Sequence, residues 1–203
     1  METTRPTLLS RLRDTGDQAA WREFDSRYRE LLLRACRRFG LQPADAYDVR
    51  QVVMMRLAHA LPHFTYQPER GRFRDYLGTV VRNALRSHAA RRDGRELPLL
   101  GEPSQVEDSA DQVWVETWNH EWQLHHYRRA MSQVRASFHE QSLAIFDGLL
   151  AGRSGTELAD EFDTTPEAVY KVKQRIRERL ERLIREQLAE EELPREKTTR
   201  SPR

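Results

Sequence analysis

The apolar residues of this chain recur at steps of three and four over long stretches, which is the spacing of one face of an α-helix. The four longest stretches cover residues 21–39, 43–61, 73–90 and 114–138. No useful stretch alternates with the period of two that a half-buried β-strand requires. The pattern therefore predicts an all-α fold.

Residues 93–113 separate two groups of these helices. Their composition shifts to glycine, proline, serine and acidic side chains without an apolar period, which indicates an interdomain linker. The chain has 203 residues, enough for two small domains. We expect helical domains at residues 1–92 and 114–189, joined by this acidic linker, and a disordered charged tail at residues 190–203.

Charge and composition limit the possible functions. The chain has 34 Lys and Arg against 32 Asp and Glu, so a nucleic-acid surface must come from local segregation of charge. A single cysteine and the lack of a long apolar run favour a reduced, cytoplasmic protein without membrane association. Because the sequence has no glycine-rich phosphate loop and no nucleophile elbow, we expect neither an enzyme nor a cofactor.

Two groups of potentially reactive side chains are best interpreted as structural. His120 and His125 are five residues apart and so do not share a helix face, which argues against a metal site. We interpret them, with His126, as part of a polar helix face. Cys36 lies beside the apolar face of the first helix, which favours a buried structural cysteine.

Residues 154–183 have the pattern of two helices joined by a short turn. Ser154 and Glu157 fit a capping box, in which a hydroxyl caps the start of a helix and a glutamate three residues later reaches back to the chain. The close crossing of two such helices needs a small residue, a turn residue that tolerates left-handed geometry and a branched apolar residue. Ala159, Asp163 and Val169 fill these roles. The pattern predicts a helix-turn-helix.

The second helix of this pair turns a polar face outward when its apolar residues face inward. Lysine, arginine and glutamine can hydrogen-bond base edges in the major groove, and flanking arginines can neutralise phosphates. The candidate DNA-binding residues are Tyr170, Lys171, Lys173, Gln174, Arg175 and Arg177. The alternative is a solvated polar face without a ligand.

Aromatic and arginine side chains are interleaved through residues 64–76, and further arginines follow on the third helix. Aromatic rings stack on unpaired bases and arginines bind the neighbouring phosphates, which favours single-stranded DNA as the ligand. The candidates are Phe64, Tyr66, Arg70, Arg72, Phe73, Arg82, Asn83 and Arg86. As an alternative, the aromatic residues, including Phe73 and Tyr76, are core residues that pin the loop.

These segments bear a family resemblance. Asp48-Val49-Arg50-Gln51 and the stretch 64–85 resemble region 2 of bacterial sigma factors, and residues 141–188 resemble their region 4. The loop Phe-Thr-Tyr-Gln-Pro-Glu-Arg-Gly at residues 64–71 is most similar to extracytoplasmic-function sigma factors of the kind abundant in planctomycetes. The resemblance implies a promoter-reading subunit of RNA polymerase with two small helical domains.

The resemblance also implies residue roles. The second helix would dock on the clamp helices of the largest polymerase subunit, and its residues for this contact are Asp48, Arg50, Gln51, Met55 and Arg56. Residues 64–73 with Arg82, Asn83 and Arg86 would bind the minus-ten promoter element and hold an extruded base. The last helix would read the minus-thirty-five element.

The other implied partner is the flap of the second-largest polymerase subunit, and the sequence identifies no anti-sigma factor. We expect a monomer when the protein is free. Two departures from the family pattern stand out: Val52 replaces the usual acidic residue after Gln51, and Thr79 and Val80 stand where housekeeping sigma factors have a tryptophan pair.

A stand-alone transcription regulator is the rival hypothesis. Its N-terminal helices would sense a ligand or dimerise, and the helix-turn-helix would bind a palindrome without polymerase. The loop at residues 64–76 with Arg82 and Asn83 disfavours it, because a sensor domain has no reason to carry these side chains.

Overall fold

The computed structural model describes residues 8–63, 73–92, 94 and 109–191, and the regular structure in these ranges is helical. The helices are α1 (Leu8–Arg11), α2 (Gln18–Arg38), α3 (Pro43–Ala60), α4 (Phe73–Arg92), α5 (Ser109–Ser137), α6 (Glu140–Leu150), α7 (Gly155–Glu161) and α8 (Pro166–Glu191), with a 3-10 turn at Leu61–His63. The predicted all-α fold is confirmed.

The described residues form two compact units. The first contains the residues up to Gln123 together with Glu190 and Glu191, and the second contains residues 124–189. None of the helices in the described ranges combines the length and the apolarity that crossing a bilayer requires.

Helix α2 is delimited by its end residues. The Asp17 carboxylate accepts a hydrogen bond from the Ala20 backbone N–H at 2.9 Å, which satisfies a donor at the start of the helix. Gly40 has a φ of +80°, a conformation that favours glycine and ends the helix where the sequence predicted. The short helix α1 was not predicted, and Arg11 at its end bonds Asp17 at 3.0 Å.

The core of the first unit forms between α2, α3 and α4. Its fully buried side chains include Phe24, Tyr28, Val53, Leu57 and Leu77. Complete burial of one such apolar side chain stabilises the fold by about 1.5–3 kcal/mol relative to exposure. These residues follow the three- and four-residue steps of the sequence, because each helix buries a single stripe.

Three tryptophans of α5 also belong to this core. Trp114, Trp118 and Trp122 are buried at every fourth residue, and Trp122 stacks on Tyr28 with ring centroids 5.9 Å apart. The sequence had assigned this stripe to the second domain, after the linker at residues 93–113. The first unit instead extends to Gln123, within α5.

The second unit contains the rest of α5, with α6, α7 and most of α8. Its core includes Ala130, Val134, Phe146, Leu158 and Ile176. Helix α6 was not predicted, whereas α7 and α8 begin where the sequence indicated. Helix α8 reaches Glu191, so Glu190 and Glu191 are helical although the sequence had assigned them to the tail.

Candidate functional site

Helix α3 presents an exposed face that contains three of the predicted polymerase-binding residues. Asp48, Gln51 and Met55 are exposed and are spaced by three and four residues, so they share one side of the helix. Tyr47 lies on the same side and is also exposed. The sequence reasoning missed Tyr47, although its position four residues before Gln51 was the available signal.

Arg50 and Arg56 are engaged inside the first unit. The Arg50 guanidinium makes two bonds to Asp25 of α2, with Nε at 3.0 Å and NH2 at 2.7 Å from the same carboxylate oxygen, and its side chain is 14% exposed. Arg56 donates to the Ser87 hydroxyl of α4 at 2.9 Å. Both arginines therefore tie α3 to its neighbouring helices.

Burial and neighbouring charges shift the pKa of Asp25 and of Arg56. Burial raises the pKa of Asp25 but is outweighed by its hydrogen bonds to Arg29 and Arg50, so the net pKa is lowered. Burial lowers the pKa of Arg56, and the nearby charge of Arg91 adds to the effect.

Val52 is half-buried and packs against the core of the first unit. Apolar packing therefore occupies the position where the resemblance led us to expect an acidic side chain.

Helix α4 carries the described part of the predicted minus-ten surface. Arg82, Asn83 and Arg86 are half-buried on this helix. The predicted residues Phe64, Tyr66, Arg70 and Arg72 lie outside the described residues.

Phe73 belongs to the core. It is 4% exposed, with ring centroids 6.0 Å from Tyr28 and 6.1 Å from Phe24, so its ring has no free face for a base. Tyr76 is half-buried, and burial raises the pKa of its phenol. The structure thus agrees with the alternative in which both residues pack in the core of the first unit, and Phe73 is corrected from a DNA contact to a core residue.

The two residues at the tryptophan-pair positions are not wedges. Val80 is buried, and the Thr79 hydroxyl donates to the Asp75 carbonyl at 2.9 Å. Neither side chain offers a large apolar surface to unstack a base pair.

The helix-turn-helix is formed by α7 and α8. Both bonds of the predicted capping box are present: the Glu157 N–H donates to the Ser154 hydroxyl at 3.2 Å, and the Ser154 N–H donates to the Glu157 carboxylate at 2.8 Å. Hydrogen bonds from the backbone and side chain of Ser154 hold the pKa of the Glu157 carboxylate below its usual value.

The turn has the predicted geometry. Asp163 has a φ of +47°, and it is the single positive-φ residue other than glycine in the described ranges. The Thr165 hydroxyl accepts a hydrogen bond from the Ala168 N–H at 3.2 Å and caps α8, a role that the sequence reasoning did not assign. Ala159 and Val169 are buried where the helices cross.

Helix α8 turns its predicted reading face to solvent. Val169, Val172 and Ile176 are buried, whereas the six candidate residues Tyr170, Lys171, Lys173, Gln174, Arg175 and Arg177 are exposed. Gln174 donates to Glu178 at 2.9 Å and Arg177 pairs with Glu181 at 3.0 Å. Each exposed pair of this kind contributes only about 0.3–0.5 kcal/mol, so DNA can displace it.

Tyr170 fixes the start of this face. Its side chain is 54% exposed and covers Gly155, where an added Cβ would lie 3.0 Å from two ring carbons and from the hydroxyl oxygen. A larger residue at position 155 would push the tyrosine outward. The sequence reasoning missed Gly155 because a glycine inside a capping box is an unremarkable residue.

The structure confirms the predicted burial of the cysteine but buries two of the three histidines that were expected on a polar helix face. Cys36 is buried, as predicted, and burial raises the pKa of its thiol to about 12. His120 is exposed, but His125 and His126 are buried, and His126 Nδ1 lies 2.9 Å from the Gln187 side-chain oxygen. Within the described residues, no group of side chains has the arrangement of a metal site.

Comparison with known proteins finds one family match, which lies within the first unit. Residues 24–95 match the family Sigma-70 region 2. The match covers most of α2 and all of α3 and α4, and so includes the exposed face of α3 and the arginines of α4. A search of curated proteins found no significant match. Residues 24–95 are thus similar to sigma-70 region 2, and they make up less than half of the 203-residue chain.

Proposed function

We propose that this protein is a sigma factor that binds core RNA polymerase and directs promoter recognition at the start of transcription, without catalytic activity of its own. The observation that carries the proposal is the match of residues 24–95 to the family Sigma-70 region 2. The helix-turn-helix of the second unit supports it, since a promoter-reading subunit needs a second DNA contact. Work at promoters would place the protein in the cytoplasm.

The polymerase contact is assigned to the exposed face of α3. Asp48, Gln51 and Met55 offer a carboxylate, an amide and an apolar side chain on one side of the helix, with Tyr47 beside them. This face would dock on the clamp helices of the largest subunit. Arg50 pairs with Asp25 of α2 and thereby holds α3 in the orientation that exposes this face.

The minus-ten contact is assigned to α4 and the segment before it. Arg82 and Arg86 supply positive charge and Asn83 supplies an amide that can donate and accept hydrogen bonds. With residues 64–72, they would bind the non-template strand of the opened promoter.

The minus-thirty-five contact is assigned to α8. Lys171, Gln174 and Arg177 are exposed on the side away from the core and suit base edges in the major groove. Lys173 and Arg175 would contact phosphates. The second unit would also meet the flap of the second-largest polymerase subunit.

We assign the protein to the extracytoplasmic-function class, of the kind abundant in planctomycetes. The sequence of residues 64–71 supports this narrower assignment. Two domains joined by an acidic linker also suit a class that carries only regions 2 and 4.

In vitro transcription tests the proposed function. Core RNA polymerase from the source bacterium would be incubated with a library of its genomic DNA, with and without this protein. We expect protein-dependent transcripts that share two spaced upstream motifs. The absence of such transcripts, together with direct duplex binding by the protein alone, would overturn the proposal and favour a stand-alone regulator.

A further inference from the structure

The indole of Trp118 lies directly on the backbone of α4. Its Nε1–H donates to the carbonyl of Arg74 at 3.0 Å. A Cβ added to Gly78 would lie 2.6 Å from Trp118 Nε1, closer than atoms can approach. Glycine inside a helix costs about 1 kcal/mol relative to alanine, and this contact supplies the reason for it here.

The two positions of α4 that Trp118 contacts lie in one row with proposed promoter-contacting residues. Arg74, Gly78, Arg82 and Arg86 follow one another at steps of four, so they form one row along α4. Trp118 contacts the first two residues of this row, and the next two are Arg82 and Arg86. One turn of helix is about 5.4 Å, so any movement of the Gly78 backbone is transmitted to Arg82.

Trp118 is itself held firmly. Its side chain is 3% exposed and lies between Trp114, at a centroid distance of 5.7 Å, and Trp122, at 5.8 Å. Trp122 stacks in turn on Tyr28 of α2. The hydrogen bond to Arg74 therefore connects α4 to a packed aromatic cluster rather than to a loose side chain.

We infer that Trp118 is a positioning residue for the promoter-contacting face of α4. It acts through the Arg74 carbonyl and the Gly78 backbone and touches no DNA itself. The inference rests on the proposed function. The inference also gives the first half of α5 a role in promoter binding, although α5 lies beyond residues 24–95, which match Sigma-70 region 2.

The test uses full-length variants bound to core polymerase. Trp118→Phe removes the N–H donor and the ring atoms nearest to Gly78. Trp114→Phe is the matched control, since Trp114 contacts Phe39, the residue that follows α2, at a centroid distance of 4.8 Å. The phenylalanine also keeps an aromatic ring beside Trp118. The probe is the single non-template strand of a promoter selected by the transcription experiment above, and thermal unfolding of each free variant is followed in parallel.

We expect Trp118→Phe to weaken binding of the single strand about threefold to tenfold, as the loss of one hydrogen bond predicts. Binding to core polymerase and to duplex upstream DNA should stay within twofold of wild type. Trp114→Phe should leave single-strand binding unchanged even where it lowers the unfolding temperature equally. Equal losses of strand binding in both variants would show a merely structural role and overturn the inference.

A second substitution tests the proposed route. Gly78→Ala should also weaken strand binding, because its Cβ displaces the indole. Combining it with Trp118→Phe should restore part of that loss, since the smaller ring leaves room for the methyl group. Strictly additive losses would overturn the route through Gly78. If the wild-type holoenzyme binds no promoter strand, the proposed function fails and the inference fails with it. If the wild-type holoenzyme binds the strand and Trp118→Phe binds it equally well, only the inference is overturned.

Discussion

Arg50 of α3 and Asp25 of α2 form an ion pair with an N–O distance of 2.7 Å, and both side chains are largely buried, at 14% and 17% exposure. The same carboxylate binds Arg29 at 2.6 Å. Arg50 faces α2 while its neighbours Asp48 and Gln51 face solvent. The pair thus fixes how α3 presents its exposed face.

Removing either partner should destabilise the first unit. Asp25→Asn leaves the largely buried Arg50 charge without this partner, and Arg50→Gln leaves the Asp25 carboxylate with only the more exposed Arg29. We expect a loss of about 2 kcal/mol in the free energy of unfolding for either change. Urea denaturation followed by circular dichroism measures it. Arg29→Gln, which changes the more exposed partner of the same carboxylate, should cost no more than about 0.5 kcal/mol. Equal losses at Arg29 and Arg50 would contradict the assignment.

Gln51→Ala should weaken binding to core polymerase while the helical content stays unchanged. The loss of one interfacial hydrogen bond predicts an increase in Kd of about fivefold, equivalent to about 1 kcal/mol. A fluorescence titration with core polymerase checks this. Gln42→Ala is the matched control, because Gln42 is exposed and its side chain makes no cap hydrogen bond at the start of the same helix. Unchanged affinity in Gln51→Ala would place the docking face elsewhere.

Lys171→Ala and Arg177→Ala should each weaken binding of the holoenzyme to upstream duplex DNA. A side chain that contacts bases contributes about 1–3 kcal/mol to discrimination, and its removal relaxes specificity at that position. Competition binding with mutated duplexes measures both effects. Arg185→Ala removes the same charge from an exposed site near the end of α8 and should have little effect. Wild-type promoter activity in both test variants would rule out this reading face.

Asp163→Gly should stabilise the helix-turn-helix. Asp163 adopts a φ of +47°, which is unfavourable for a residue with a Cβ, and glycine relieves it at an entropic cost. We expect a net gain of about 0.5 kcal/mol in the free energy of unfolding. Gly152→Ala provides the reverse test, since Gly152 has a φ of +86° and open space around it, so only backbone strain acts. A loss of stability in Asp163→Gly would contradict this account.

The buried thiol of Cys36 should make stability depend on alkaline pH. Burial raises its pKa from 9.0 to about 12, so above pH 9 the unfolded chain loses the thiol proton while the folded chain keeps it. The unfolded state then binds fewer protons, and the contribution of this group to stability falls as pH rises from 9 through about 12. Cys36→Ala should show a shallower decline above pH 9 in urea denaturation. Parallel declines in both proteins would contradict the prediction.

The helices that the sequence predicted are those with a long apolar stripe and a chemical end signal. Gly40 ends α2 and Ser154 begins α7, and both act through backbone conformation or capping, which are local effects. Helix α6 has neither advantage. It spans Glu140–Leu150, and its N-cap residue His139 makes no side-chain cap bond. Its short apolar run could not be distinguished from other short buried segments.

Pairing between distant residues was beyond the sequence. The stripe of Trp114, Trp118 and Trp122 predicted burial correctly, but a periodic pattern does not say which helices it packs against. The same limit applies to Arg50, whose orientation depends on Asp25 of another helix. The exposed residues of α8 could be predicted because their direction follows from the apolar stripe on the same helix.

The distribution of tryptophan gives each unit its own optical signature. All four tryptophans of the chain, Trp21, Trp114, Trp118 and Trp122, belong to the first unit, and the second unit has none. Excitation of indole therefore reports the folding of the first unit alone, while the helicity measured by circular dichroism reports both units. Comparing the two signals during unfolding would show whether the units melt together or one after the other, without any added label.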